Sequence, residues 1–207
     1  MYQQPIVMLD FETTGLSPAA GARITEVAAL RIEGGRIVDR FVSLVNCGVE
    51  VPAFITSLTG ITQAMVDNAP CVSQVVPELL RFIGKDMLSA HNASFDEKFL
   101  IAEARELGLM PQHEALVCSL KLSRRLFPGL PSYKLGSLSS ALGIRFNGSA
   151  HRAEADAEVS AHVLIHIGEH LRRAYGMADI DTRLLSRISA LSAAKVPQFL
   201  ERELRPQ

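Results

Sequence analysis

The first 46 residues contain three strand-like segments in succession, and that order most restricts the fold open to this chain. PIVMLD (5–10) is a short apolar run that stops on an acid. RITEVAALRI (23–32) and RIVDRFVSLVN (36–46) follow, and Gly34-Gly35 between them is a hairpin signal. Helical patterns begin only afterwards. Residues 52–69 hold turn residues and short helical pieces around SLTGIT, and 71–83 read as a helix with Pro77 as a local complication. DMLSAHN (86–92) reads as a strand, with Ser94 as the expected N-cap of a helix from 95 to 107 that Gly108 closes. A short strand at 115–118 and helices over 119–127, 134–142 and 153–173 come next. Three strands followed by alternating helices and strands predict an α/β fold, a mixed sheet with helices packed on it.

After Gly176 the tail to 207 has one amphipathic stretch (Leu184, Leu185, Ile188, Leu191) and a polar end. Its apolar residues have two uses open to them, docking on the core or binding a partner, and docking is the expectation. The division expected is a domain over 1–175 and a helical tail over 176–207.

Composition excludes several classes. With 48% hydrophobic and 21% charged residues, the chain is of ordinary globular type, and no apolar run is long enough to span a bilayer. The start MYQQPIVMLD lacks basic residues and is interrupted by Asp10, so no signal peptide is read there. Cys47, Cys71 and Cys118 are widely spaced and odd in number, which suits neither a disulfide framework nor a CxxC zinc site and leads us to expect a reduced, cytoplasmic setting.

The net charge of −1 hides a division. Residues 1–120 carry 8 basic and 14 acidic side chains, whereas 121–152 carry six basic ones (Lys121, Arg124, Arg125, Lys134, Arg145, Arg152) and no acid. Such a stretch is either a solvated face or a surface that meets phosphates.

The acids decide between these. Asp10 and Glu12 are two apart at the end of the first strand, so both project from one face and repel unless a cation or proton intervenes. Asp96 opens a helix, where capping alone would account for it, within HNASFDEKFL (91–100). In HRAEAD (151–156) His151 precedes Asp156 by five residues. Within one helix the two would point apart, so the spacing places His151 in a loop and Asp156 in the first helical turn. Four acids and a histidine at element ends suit a hard cation such as Mg²⁺ or Mn²⁺, and a pair of such ions stabilises both the attacking and the leaving oxygen of a phosphodiester. The reading is metal-dependent phosphodiester hydrolysis.

DFETTGL (10–16), HNASFDEKFL (91–100) and HRAEADAEVSAHVL (151–164) together resemble the three motifs of the DEDD 3′–5′ exonucleases. The histidine five before the last aspartate is similar to the DEDDh subgroup, which includes the proofreading epsilon subunit of bacterial DNA polymerase III. SLTGIT (57–62) and SRRLFPGLPSYKLGSL (123–138) are also similar to segments there, so the resemblance covers about 4–172.

It implies a ribonuclease H-like fold, a five-stranded mixed sheet flanked by helices. It also implies two divalent metal ions, Mg²⁺ or Mn²⁺, held by Asp10, Glu12 and Asp156, with Asp96 in support directly or through water. His151 would be the general base, and an imidazole with a free pKa of about 6.5 suits that role. Thr14, Leu58, Thr59, His91, Asn92 and Phe95 match positions that contact the terminal nucleotide in relatives.

The expected partner is nucleic acid, the 3′ ends of single-stranded DNA, with RNA the alternative. A further alternative is a polymerase-associated subunit acting through the tail. His162, His166 and His170 stack on one helical face and could bind a transition metal, but a solvated helix flank is the reading preferred.

Overall fold

The hairpin signalled by Gly34-Gly35 joins the two longest strands of a five-stranded sheet. The computed structural model describes residues 2–145 and 150–204, so the polar end of the tail at 205–207 lies outside the described residues. Strands β1 (Ile6–Thr13), β2 (Ile24–Glu33) and β3 (Arg36–Leu44) form an antiparallel meander. Helices α1 (Ala53–Thr59), α2 (Gln63–Asp67) and α3 (Val72–Ile83) precede β4 (Met87–Ala90), which pairs parallel with β1. After α4 (Ser94–Glu106), β5 (Leu116–Cys118) adds parallel to β4. The strand order is β3-β2-β1-β4-β5. Helices α5 (Ser119–Leu126), α6 (Leu135–Ala141), α7 (Ala153–Tyr175), α8 (Thr182–Ala190) and α9 (Val196–Glu203) complete the chain.

Alternation along β1 sorts its side chains between two cores. Ile6 and Met8 face α7, together with Ala161, Leu164 and Ile167 of that helix. Val7, Leu9 and Phe11 face α3 and α4, packing with Leu79, Ile83, Phe99 and Leu100. Asp10 and Glu12 continue the parity of Ile6 and Met8, so they lie on the α7 side of the sheet. A third, smaller cluster of Cys47, Val51, Ile55, Ile61 and Val66 holds α1 and α2.

Three local expectations change. Asp10 and Glu12 lie inside β1, which runs on to Thr13 rather than ending at the first acid. Ser94 is the first residue of α4 and not its cap. Asn92 takes a left-handed φ of 76°, so the chain turns before Ala93, whose methyl can accept no hydrogen bond. The tail forms two helices, since α9 follows α8, and Leu184, Leu185, Ile188, Val196 and Leu200 all join the α7-side core.

Pro77 sits inside an unbroken α3, where the carbonyl it leaves unbonded belongs to the exposed Ser73 and meets water. Cys47, Cys71 and Cys118 are free thiols. No helix among the described residues is long and apolar enough to cross a membrane.

Candidate active site

The parallel pairing of β1 with β4 covers Ile6–Met8 against Met87–Ser89 and then stops. Beyond it β1 projects alone on that edge, and the N-terminus of α4 fills the gap. Asp96 of α4 accepts the Phe11 N–H at 3.2 Å, so this buried carboxylate takes over from the missing strand. On the α7 face, carboxylate oxygens of Asp10, Glu12 and Asp156 all come within 4.8 Å of one another. Two residues from one strand and one from a distant helix thus form a single acidic cluster.

α7 is brought to the cluster by a residue that the sequence reading did not single out. Glu26 of β2 stands opposite Glu12 in the β1–β2 register and is buried. Its carboxylate accepts the Ala153 N–H at 2.9 Å, which supplies the side-chain acceptor that the helix start itself lacks. Arg152 grips the same carboxylate with Nε at 3.1 Å and Nη2 at 2.6 Å. This fork fixes the chain just before α7, and Asp156 follows in the first turn. The one signal in the sequence was an acid within an apolar strand, RITEVAALRI.

His151 lies in the turn ahead of α7 with a left-handed φ of 62°, and its backbone N–H donates to Asp156 Oδ2 at 3.0 Å. Among the described non-glycine residues, only Asn92 and His151 have positive φ, and both border this cluster in the chain. Such backbone is costly and persists where the surroundings enforce it. The imidazole is exposed, free to meet a solvent molecule.

The electrostatics follow from packing acids together. Burial first, then Asp96, Asp156, Glu12 and Glu26, hold the Asp10 carboxyl well above the usual carboxylate range. Burial also pushes Glu12 up to about 8, with Asp156 and Glu26 adding to it and Arg152 opposing. Asp96 rises to about 8, mainly through burial, against the pull of the Phe11 N–H. Asp156 is raised by burial, while the His151 N–H works the other way. A site that destabilises its own negative charge in this way is set up to receive positive charge.

The expected nucleotide contacts divide into two groups. Thr14 Oγ1 accepts the Arg23 N–H at 2.9 Å, and Thr59 bonds Ile55 O and Ile61 N–H. His91 is held by Ser119 Oγ and Tyr133 O, each at 3.0 Å, so both ring nitrogens are engaged within the protein. Leu58 and Asn92 are exposed, and the half-buried Phe95 ring carries Lys98 Nζ at 4.7 Å. Of the α7 histidine stripe, His166 and His170 pack on Phe127, whose ring lies 5.6 Å from His166 and 5.0 Å from His170, while His162 is exposed. Among the described residues, the acidic triad is the one grouping with metal-ligand spacing.

A five-stranded mixed sheet with carboxylates on its central strand and on the long helix crossing it defines a ribonuclease H-like nuclease. The chain belongs to the RNase T exonuclease family, which it matches over residues 7–164. It is 36% identical to the DNA polymerase III subunit epsilon of Aquifex aeolicus, over 84% of this chain and 85% of that one. It is 38% identical to the 3′-5′ exonuclease DinG of Bacillus subtilis, again over 84% of this chain but only 18% of that much longer protein. Among solved structures, Exonuclease X bound to 5′-overhanging duplex DNA superposes with a TM-score of 0.68 at 26% identity, covering 89% of this chain and 99% of that one.

Proposed function

We propose that this protein is a divalent-metal-dependent 3′–5′ exonuclease that hydrolyses the terminal phosphodiester of single-stranded DNA and releases nucleoside 5′-monophosphates. The observation that carries it is the convergence of Asp10, Glu12 and Asp156, with His151 tied to Asp156 through its backbone. Hard carboxylate oxygens in a buried, mutually repelling cluster fit Mg²⁺ or Mn²⁺, and we assign two ions to it. When bound, the ions supply charge for the attacking and leaving oxygens of the displacement.

The side chains do the remaining work. Asp10, Glu12 and Asp156 would hold the cations, and Asp96 braces β1 through the Phe11 N–H. His151 takes a proton from the attacking water, whose oxygen bonds to phosphorus as the bond to the 3′ oxygen of the preceding nucleotide breaks. That 3′ oxygen leaves as an alkoxide and takes a proton from solvent, and the terminal nucleotide departs carrying its 5′-phosphate. Leu58, Asn92 and Phe95 offer free surface to the terminal base and sugar. Thr14, Thr59 and His91 shape the walls behind them through their internal hydrogen bonds.

RNA is the alternative substrate, separated by whether a 2′-hydroxyl is tolerated. A polymerase-docking role through the tail ranks below catalysis, because Leu184, Leu185 and Ile188, which would present that surface, are buried. Free thiols at Cys47, Cys71 and Cys118 support a reduced, cytoplasmic setting. The test is digestion of 5′-labelled single-stranded DNA and RNA of one sequence with Mg²⁺, with Mn²⁺ and with EDTA. A metal-dependent ladder shortening from the 3′ end is expected, and the preferred strand identifies the sugar. Intact strands under every condition would refute the assignment.

A further inference from the structure

A cleft of about 290 Å³ opens where the start of α4 meets β5, α5 and the tail helix α8. Its rim includes Asn92 and Ser94, which immediately precede Phe95 and Asp96 in the chain, so the cleft and Asp96 share the start of α4. Lys121 and Arg124 line it from α5, one turn apart on the same helical face. Of the six cations between 121 and 152, only Arg152 forms an ion pair among the described residues, so both of these are unneutralised. Arg124 is steadied by the Tyr133 ring, 5.8 Å away. From α8 come the exposed Ser186 and Ser189, whose buried hydroxyl has no hydrogen-bond partner.

Backbone adds to the same field. Both α4 and α5 begin without a side-chain cap, at Ala93 and Cys118, and Ala93 and Cys118 both line this cleft. Helix starts carry partial positive charge. Glu97 is the one carboxylate on the rim, against Lys121 and Arg124, so the cleft keeps net positive charge.

We propose that this cleft binds a backbone phosphate of the substrate strand upstream of the terminal nucleotide, with α8 forming one wall of the strand's path. Resting on the exonuclease reading, it gives the tail a part in substrate binding. Lys121 and Arg124 supply the charge, and Ser186 a hydroxyl donor. The strand therefore runs from the acidic cluster across the start of α4 toward α5 and α8.

The test uses Lys121→Glu and Ser186→Asp, both at exposed positions, on the full chain. Each is assayed on a single-stranded oligonucleotide and on the p-nitrophenyl ester of thymidine 5′-monophosphate, which has no upstream phosphate. The proposal predicts an oligonucleotide KM about tenfold higher with kcat held, and ester kinetics within about twofold of wild type. For Lys121→Glu the salt slope of oligonucleotide binding, read by fluorescence anisotropy, falls by about 0.7, the value for one lost single-strand phosphate contact. Unchanged oligonucleotide KM and binding in both variants, or equal losses on ester and oligonucleotide, would overturn it. A wild-type protein inactive on both substrates would refute the exonuclease reading instead, while weakened binding in the variants would still support the cleft.

Discussion

Glu12 and Glu26 face each other across the β1–β2 ladder, and the protein treats them in opposite ways. Glu26 is neutralised by the Arg152 fork and the start of α7, whereas Glu12 is left among carboxylates and held up near a pKa of 8. One acid of the pair anchors α7, and the other stands in the acidic cluster with Asp10 and Asp156. The division explains why a helix far along the chain arrives beside β1 in a fixed orientation.

Removing one charge from the cluster separates stability from activity. Asp10→Asn is expected to abolish turnover and yet raise the melting temperature of the metal-free protein at pH 8 by about 3 °C, roughly 1 kcal/mol for a domain of this size. Asp10→Ala and Asp156→Ala are likewise expected to lose turnover while remaining folded. Thermal melts in EDTA beside the ladder assay check both halves.

Burial, with repulsion between carboxylates added to it, sets a pH dependence. Folded Glu12 and Asp96 hold their protons to about pH 8, against ordinary values of 4.5 and 3.8. Between those limits the folded chain binds more protons than the unfolded chain, so stability falls as pH rises. Melts in EDTA at intervals from pH 5 to 8 should show a declining midpoint. Added Mn²⁺ should reverse the decline at the alkaline end, because bound cations replace the protons.

His151→Ala is expected to lower kcat by about 10³-fold, within the usual range for loss of a general base. The contact to Asp156 comes from the backbone N–H, which alanine retains. Metal affinity measured by calorimetry should therefore stay near wild type. A parallel loss of affinity would move His151 from proton transfer to metal binding.

Glu26→Ala is expected to destabilise the protein by about 2 kcal/mol. That is below the range for breaking a fully buried pair, because Arg152 is 39% exposed and regains water. Turnover should fall as well, since the first turn of α7 loses its anchor. Urea melts and kinetics on one preparation test whether the two losses travel together.

The tail should behave as part of the core. Ile188 and Leu200 are fully buried. Ile188→Ala is expected to cost about 3 kcal/mol in urea unfolding, as for other buried large-to-small changes. Limited proteolysis should leave the chain beyond 176 in place.

What could be read in advance was whatever the chain writes locally. Asp10, Glu12, Asp96, His151 and Asp156 each sit in a short run whose spacing encodes its own geometry, and the left-handed turn at His151 permits the arrangement that the five-residue spacing required. Glu26 escaped notice because its role depends on cross-strand register and on a helix 126 residues away. Ser94 misled because cap preference is a local rule, and the left-handed Asn92 shifted the helix start by one residue. The helix α9 escaped because its two buried residues, Val196 and Leu200, make no periodic pattern alone and gain meaning only against α8.

The central claim is that cations held by Asp10, Glu12 and Asp156 drive removal of nucleotides from a 3′ end. Its most direct test is a Mn²⁺ titration, followed by electron paramagnetic resonance, of wild-type and Asp10→Ala protein, each assayed in parallel on 5′-labelled single-stranded DNA. Two Mn²⁺ are expected to bind the wild type, with a 3′-shortening ladder that rises with occupancy, and both are expected to be lost in the variant. Digestion that survives EDTA, or an equal ladder from Asp10→Ala, would contradict it.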